Sequence, residues 1–230
     1  MCNVSGVLFT VENIKPEEIR GKRVLEVGSF NVNGSLRKFF QSNHPASYLG
    51  IDLVKGPGVD LVCPVEKIVS EFGQESFDLI IATELLEHIR DWRLVINNLK
   101  SVCRSGGIIL LTTRSIGFPY HGYPKDFWRY QKEDLKTIFA DCQILVLKKD
   151  PLEPGVFAKI KKPLKFKPKN LSRQPLYSII LKKRTLRLKP EDFQTFRFRL
   201  LSLREFIKKR IKKTKVLKKS LEKLVSLVND

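Results

Sequence analysis

Three groups of residues in this 230-residue chain are of types and spacings that could do chemistry. The first surrounds a glycine turn in VLEVGSFNVNGSLR (Val24–Arg37), where an apolar run ends at Gly28. A residue without a Cβ lets the backbone approach a ligand closely. Glu26, two residues earlier, is placed to meet an amino group at the end of a strand, and Asp52 follows 24 residues after Gly28. A carboxylate at that second position can accept from both hydroxyls of a ribose. The pair suits a nucleoside ligand; an ordinary tight turn is the plain alternative. The second group is Glu84, Glu87 and His88, whose separations of three and four residues let the side chains converge on one helical face. The third is GFPYHGYPKDFWRY (Gly117–Tyr130). Its His121 could act as a base near neutral pH, with Tyr120, Tyr123, Phe127 and Trp128 walling an apolar or sugar-ring substrate. The alternative for this loop is a packed lid in which Asp126 and Arg129 pair. Arg114 suits an anionic substrate or, equally, the surface.

These groups need elements to position them. Short apolar runs alternate with helical patterns along the chain, which predicts a βαβ series and a largely parallel sheet. Strands are expected at Arg23–Val27, Ser47–Leu53, Val59–Val62, Phe77–Ala82 and Ile108–Thr113. FDLIIA (Phe77–Ala82) is a continuous apolar run typical of a central strand buried on both faces. Helices are expected from near Ser35, with Leu36, Phe39 and Phe40 inward, and from an Asp91 cap to Arg104, stopped by Gly106-Gly107. Another is expected over Gln131–Ala140, with Glu133 and Asp134 at the positive end of its dipole. Cys142–Leu147 and Leu176–Leu181, joined by a Pro/Lys-rich connection Asp150–Pro175, would complete a seven-stranded sheet. In such open α/β sheets ligands bind beyond the carboxyl ends of the strands.

Composition divides the chain. Residues 1–147 carry 17 basic and 17 acidic residues, while residues 148–230 carry 26 and 7 and so hold the whole net charge of +19. A neutral body with a basic end suggests chemistry in front and attachment to something anionic behind. Cys2, Cys63, Cys103 and Cys142 have no CxxC or zinc spacing and read as thiols of a reducing compartment. The N-terminus lacks a basic region followed by an apolar stretch, so no secretory signal is expected, and no apolar run reaches membrane-spanning length. The expected location is cytoplasmic, with peripheral membrane contact.

From Val24 to Leu147 the chain resembles class I S-adenosylmethionine (SAM)-dependent methyltransferases, close to the type 11 group. VLEVGS is similar to that family's first motif, YLGIDL (Tyr48–Leu53) to its second, FDLIIATELLEHIRDW (Phe77–Trp92) to its fourth, and LKSVCRSGGIILLTT (Leu99–Thr113) to the helix, Gly-Gly and strand that follow. The resemblance implies a Rossmann-like, seven-stranded, mostly parallel sheet flanked by helices, with SAM as cofactor. It implies cofactor contacts from Glu26, Gly28, Ser29, Asn33, Gly34, Asp52, Leu53, Val65 and Thr83. An acid at the end of the first strand, and the lack of a phosphate-cradling GxGxxG, disfavour NAD. Two departures stand out. Phe30 occupies the family's second glycine position, with Asn33-Gly34 completing the turn. Cys63-Pro64-Val65 replaces the acid that often receives adenine, leaving backbone near Val65 and packing on Leu53. On the reaction side Glu84, His88 and His121 are the catalytic candidates. ELLEH also resembles the E-x-x-E-H cluster by which ubiquinone-pathway O-methyltransferases bind a divalent metal, so Glu84, Glu87 and His88 form a candidate metal set; helping the loop fold is the alternative. Ala82-Thr83-Glu84-Leu85 stands where adenine-amino methyltransferases carry [DN]-P-P-[FY], and no Pro-Cys pair suits attack on cytosine carbon. A hydroxyl or similar nucleophile of a small-molecule, glycan or lipid-linked acceptor fits better. The alternatives are an RNA methyltransferase and a non-catalytic basic binding module.

The expected organisation is a methyltransferase domain over residues 1–190 (core 20–150) and a basic amphipathic helical tail over 191–230. Leu200, Leu203, Ile207, Ile211, Leu217, Leu221, Leu224 and Val228 form an apolar stripe, and nine basic residues lie between Arg204 and Lys219. Such a helix, over residues 198–228, suits an anionic membrane surface, RNA phosphates, or packing and self-association through a near-heptad seam.

Overall fold

The computed structural model describes residues 3–32, 34–122, 125–208 and 210–211. In chain order the elements are α1 (Val4–Asn13), β1 (Arg23–Val27), α2 (Arg37–Ser42), β2 (Ser47–Asp52), β3 (Leu61–Val62), α3 (Ile68–Phe72), β4 (Phe77–Thr83) and α4 (Trp92–Val102). They continue as β5 (Cys103–Arg114), β6 (Trp128–Arg129), α5 (Lys132–Ile138), β7 (Gln143–Lys149), β8 (Gly155–Lys161), β9 (Leu176–Ser178) and β10 (Lys183–Thr185).

Seven strands form one sheet in the order β3-β2-β1-β4-β5-β8-β7, parallel except for the two β8 pairings. Successive residues of a strand point to opposite faces, and here both faces are apolar. Leu25, Val27, Ile80, Ala82, Ile109 and Leu111 join the core on one side, where α4 contributes Trp92, Val95, Ile96 and Leu99. Val24, Leu79, Ile81 and Leu110 join a second core, with Phe9 of α1 and Phe40 of α2. The α4 spacing works as its pattern predicts. Asp91 accepts from the Leu94 amide at 3.4 Å, and the buried side chains each contribute roughly 1.5–3 kcal/mol relative to exposure. α1 was not evident in the sequence; Asn3 caps it by accepting from the Gly6 amide at 2.8 Å.

Several expected boundaries move. The second strand ends at Asp52, and the third is only Leu61–Val62. Gly106-Gly107 does not stop a helix: α4 ends at Val102 and β5 runs through the glycines. There a Cβ on Gly107 would sit 2.8 Å from the Asp78 carbonyl, so only glycine fits. The larger correction concerns the seventh strand. Gly155–Lys161, inside the supposed connection, lies between β5 and β7, whereas Leu176–Ser178 belongs to a separate three-stranded antiparallel sheet with β6 and β10. GVFAKIK disguised itself with lysines. Lys159 is buried because its Nζ reaches both Glu18 oxygens and the Asn13 carbonyl, each at 2.7 Å. A buried charge is tolerated when paired and hydrogen-bonded in this way.

Among the described residues no helix is long and apolar enough to cross a membrane. Of the expected tail, the helix is described at 196–208 and 210–211; residues 212–230 lie outside the described residues.

Candidate functional site

At the carboxyl ends of β1, β2 and β4 a cavity opens, lined by Gly28, Asp52, Leu53, Val65, Glu84 and His88 among others. Asp52 is held by two backbone amides. Oδ1 accepts from Leu53 at 2.7 Å and Oδ2 from Phe30 at 3.1 Å. Each ionised oxygen keeps a further acceptor site, so the pair can take two vicinal hydroxyls. Gly28, at φ +79°, lets the chain leave β1 under Leu85, whose Cδ1 would lie 3.3 Å from a Cβ there. Val65 is steadied from beneath by Asn98, whose Nδ2 donates to the Val65 and Glu66 carbonyls at 3.2 and 2.8 Å. Phe30, Leu85 and Ile89 also line the cavity, and pattern reading had not placed them there.

The irregular glycine turn has a structural counterpart. Asn31 donates its amide to the Pro57 carbonyl at 2.8 Å, joining the first loop to the one after β2. Phe30 fills the space over Gly56, where a Cβ would fall 2.1 Å from the ring. The bulk that Phe30 adds to the first loop is thus offset by its absence at Gly56 in the neighbouring one.

Glu26 differs from expectation. Its side chain does not line the cavity; it is 4% exposed and accepts a short hydrogen bond from the Tyr48 hydroxyl of the adjacent strand. Burial pushes its carboxyl above the ordinary value, against the opposing Tyr48 bond. Arg37 stacks 4.7 Å over the Tyr48 ring and pairs with Asp60, closing this corner. Ser29 is buried, Gly34 donates its amide to Asn31, and Thr83 is buried at the end of β4; none of the three lines the cavity. Asn33 and Tyr123 lie outside the described residues.

On the reaction side, Glu84, Glu87 and His88 do not share one helical face. Leu86–His88 is a single 3-10 turn, and Glu84 precedes it in a left-handed conformation, φ +50°. That twist aims Glu84 at β5, where it accepts from the Thr112 hydroxyl at 2.9 Å and pairs with Arg114. Burial, then the Glu87 carboxylate, pushes Glu84 above the usual range. Arg114 is neither a surface residue nor open to an anion. It is 7% exposed, bonded to Glu153 at 2.7 Å and stacked 4.0 Å over Phe118. Glu87 is fully buried; one oxygen accepts from Thr113 at 2.8 Å, and the other has no hydrogen-bond partner.

The loop after β5 brings His121 into this group. The His88 and His121 rings meet edge to face at 4.8 Å, and ligand atoms of Glu87, His88 and His121 lie within 4.8 Å of one another. This trio, rather than the set containing Glu84, has the donors for a cation. His88 Nδ1 contacts the Lys125 carbonyl, and burial holds its imidazole below the ordinary value, hence neutral at pH 7. His121 Nδ1 is 2.9 Å from Asp126, which Arg129 grips with a two-pronged fork. The Asp126–Arg129 pair is therefore structural, as in the packed-lid alternative. Phe127 and Trp128 are buried in the core, with the Trp128 indole donating to the Arg90 carbonyl at 3.2 Å, and cannot wall a substrate.

A family model described as a methyltransferase domain matches residues 8–140. No curated protein sequence matches the chain. Among solved structures, a SAM-dependent methyltransferase from Mesorhizobium loti superposes with a TM-score of 0.50 at 14% identity, covering 70% of this chain and 99% of its own. The 1,6-didemethyltoxoflavin-N1-methyltransferase of Burkholderia thailandensis, solved with 1,6-didemethyltoxoflavin and S-adenosylhomocysteine, gives 0.52 at 15% identity, covering 69% and 76%. The [4+2]-cyclase SpnF gives 0.53 at 14% identity, covering 69% and 81%. At such identities the likeness is one of fold.

Proposed function

The chain belongs to the methyltransferase-domain family, whose cofactor is SAM, and from that membership we propose that it methylates a hydroxyl or similar nucleophile of a small-molecule, glycan or lipid-linked acceptor. The observation that carries this reading is the pair of amide-anchored oxygens of Asp52 in a cavity that His88 also lines. Asp52 is assigned the two ribose hydroxyls, Gly28 the close backbone approach, and Leu53 with Val65 the faces of the adenine. SAM supplies a methyl group on a sulfonium, which a positioned nucleophile can take in line.

His121 is the proposed general base. With Nδ1 turned to Asp126, Nε2 is left for the acceptor's proton, which it takes as the acceptor oxygen bonds to the methyl carbon and the carbon–sulfur bond breaks. Neutral His88 lies between the cavity and His121 and orients the acceptor. If a divalent cation takes part, Glu87, His88 and His121 would hold it and it would acidify the acceptor hydroxyl; none of the roles above depends on it.

Calorimetry with SAM tests the cofactor half, since absent binding, or equal binding by Asp52→Ala, would overturn it. For the acceptor half, label from methyl-tritiated SAM should appear in lipid, glycan or small-molecule fractions. Label confined to RNA or protein would redirect the assignment.

A further inference from the structure

The helix at 196–208 and 210–211 uses its faces in the reverse of the usual way. Toward the body it turns Phe198, Leu201 and Glu205, all half-buried. Phe198 packs edge-on against Phe193 at 5.3 Å and meets Tyr120 at 6.5 Å, while Arg197 donates to the Ile180 carbonyl at 3.0 Å. The outward side carries Phe196, Leu200, Leu203, Ile207 and Ile211, between 46% and 83% exposed. At 3.6 residues per turn these five fall in one sector of ~80°. Arg199 and Arg210 flank the stripe on one side, Arg204 and Lys208 on the other, and Phe206 widens it beneath Arg210. A surface helix ordinarily turns such a stripe inward, and an apolar line rimmed by charge marks an interaction site.

We propose that this helix lies in the plane of an anionic lipid bilayer, its stripe among the acyl chains and its flanking bases on the headgroup phosphates. Charge selects this occupant. Between 196 and 211 the one acid is Glu205, half-buried and already paired with Lys208 at 2.6 Å. Against a second copy of the same helix, Arg199, Arg204 and Arg210 would meet only their own kind. A nucleic-acid grip needs the cations but gives five exposed large apolar side chains nothing to do. An anionic bilayer answers both features. Because residues 1–147 carry no net charge, the attraction comes from this end of the chain alone. On the opposite face, the Phe198–Tyr120 contact ties this helix to the loop that carries His121.

Flotation of the full chain with vesicles tests the proposal, using phosphatidylcholine with and without phosphatidylglycerol. Binding is expected to the anionic vesicles, weakening with salt, and to fall at least about tenfold in the exposed-site variant Leu203→Glu/Ile207→Glu. Absent flotation, or flotation unchanged in that variant, overturns the idea. So does an RNA gel shift without flotation, or a dimer in sedimentation that the variant dissolves. SAM calorimetry on the same variant should match the parent, so failure here leaves the methyltransferase reading standing.

Discussion

His121 Nδ1 lies 2.9 Å from Asp126 Oδ2, and that same oxygen accepts the His121 backbone amide at 2.9 Å. One carboxylate thus holds the loop backbone by a hydrogen bond and lies beside the ring of the proposed base, whose Nδ1 makes no hydrogen bond of good geometry. His121→Ala should lower kcat by roughly 10²-fold or more, the usual contribution of a positioned base, with SAM affinity unchanged. Single-turnover kinetics beside calorimetry separates the two, and an unchanged kcat would remove His121 from the reaction.

Asp126 also ties the loop to the fold, and this gives a pH dependence. Burial opposes ionisation there, yet Arg129 and His121 outweigh it and bring the carboxyl from 3.8 to about 2. Its folded value lies below the unfolded one. The stabilisation, about 2 kcal/mol by linkage, is therefore complete above the unfolded value and lost as pH falls from near 4 toward about 2. Urea midpoints measured across that window should fall more steeply for the parent than for Asp126→Asn, which is already less stable at neutral pH because Arg129 is left buried and unpaired.

Tyr48→Phe tests where the Glu26 carboxylate belongs. Loss of the hydroxyl leaves a buried carboxyl without its donor and should cost ~1–3 kcal/mol of stability. SAM affinity should change by less than about threefold, a small fraction of one hydrogen bond. A large loss of affinity at unchanged stability would return Glu26 to the cofactor.

Gly56→Ala should drive the Phe30 ring into the cavity, because the new Cβ would lie 2.1 Å from it. An overpacking cost of about 1–3 kcal/mol is expected, together with weaker SAM binding. Adding Phe30→Leu should recover much of both. No recovery would mean that the two loops are not coupled through this contact.

Chelation by EDTA should leave turnover within about twofold if His121 alone takes the proton. A larger loss, restored by Mg²⁺ or Mn²⁺ and absent in Glu87→Gln, would assign that role to a cation held by Glu87, His88 and His121.

The features legible in the sequence are those set by neighbours along the chain. β1, β4 and α4 follow from short, mainly apolar runs and a 3–4 spacing with an Asp91 cap. Asp52 follows from its place at the end of β2, where a strand's last side chain meets the ligand edge of the sheet. The family, likewise, was written in motifs strung along one stretch.

What the tertiary structure decided is where side chains turn when their partners are distant in sequence. Lys159 made β8 look like a surface segment until Glu18, 141 residues away, neutralised it in the core. Glu84 and Glu87 seemed to share a helical face, but one left-handed residue sent Glu84 to Thr112 and Arg114 and left Glu87 to meet His121. Glu26 stands at its expected place in β1, and only the sheet shows that its carboxylate meets the Tyr48 hydroxyl of the adjacent strand. Backbone pattern is a local property, whereas the direction of a buried charge is fixed by whichever group offers compensation within reach. For those residues that group became a neighbour only once the sheet had formed.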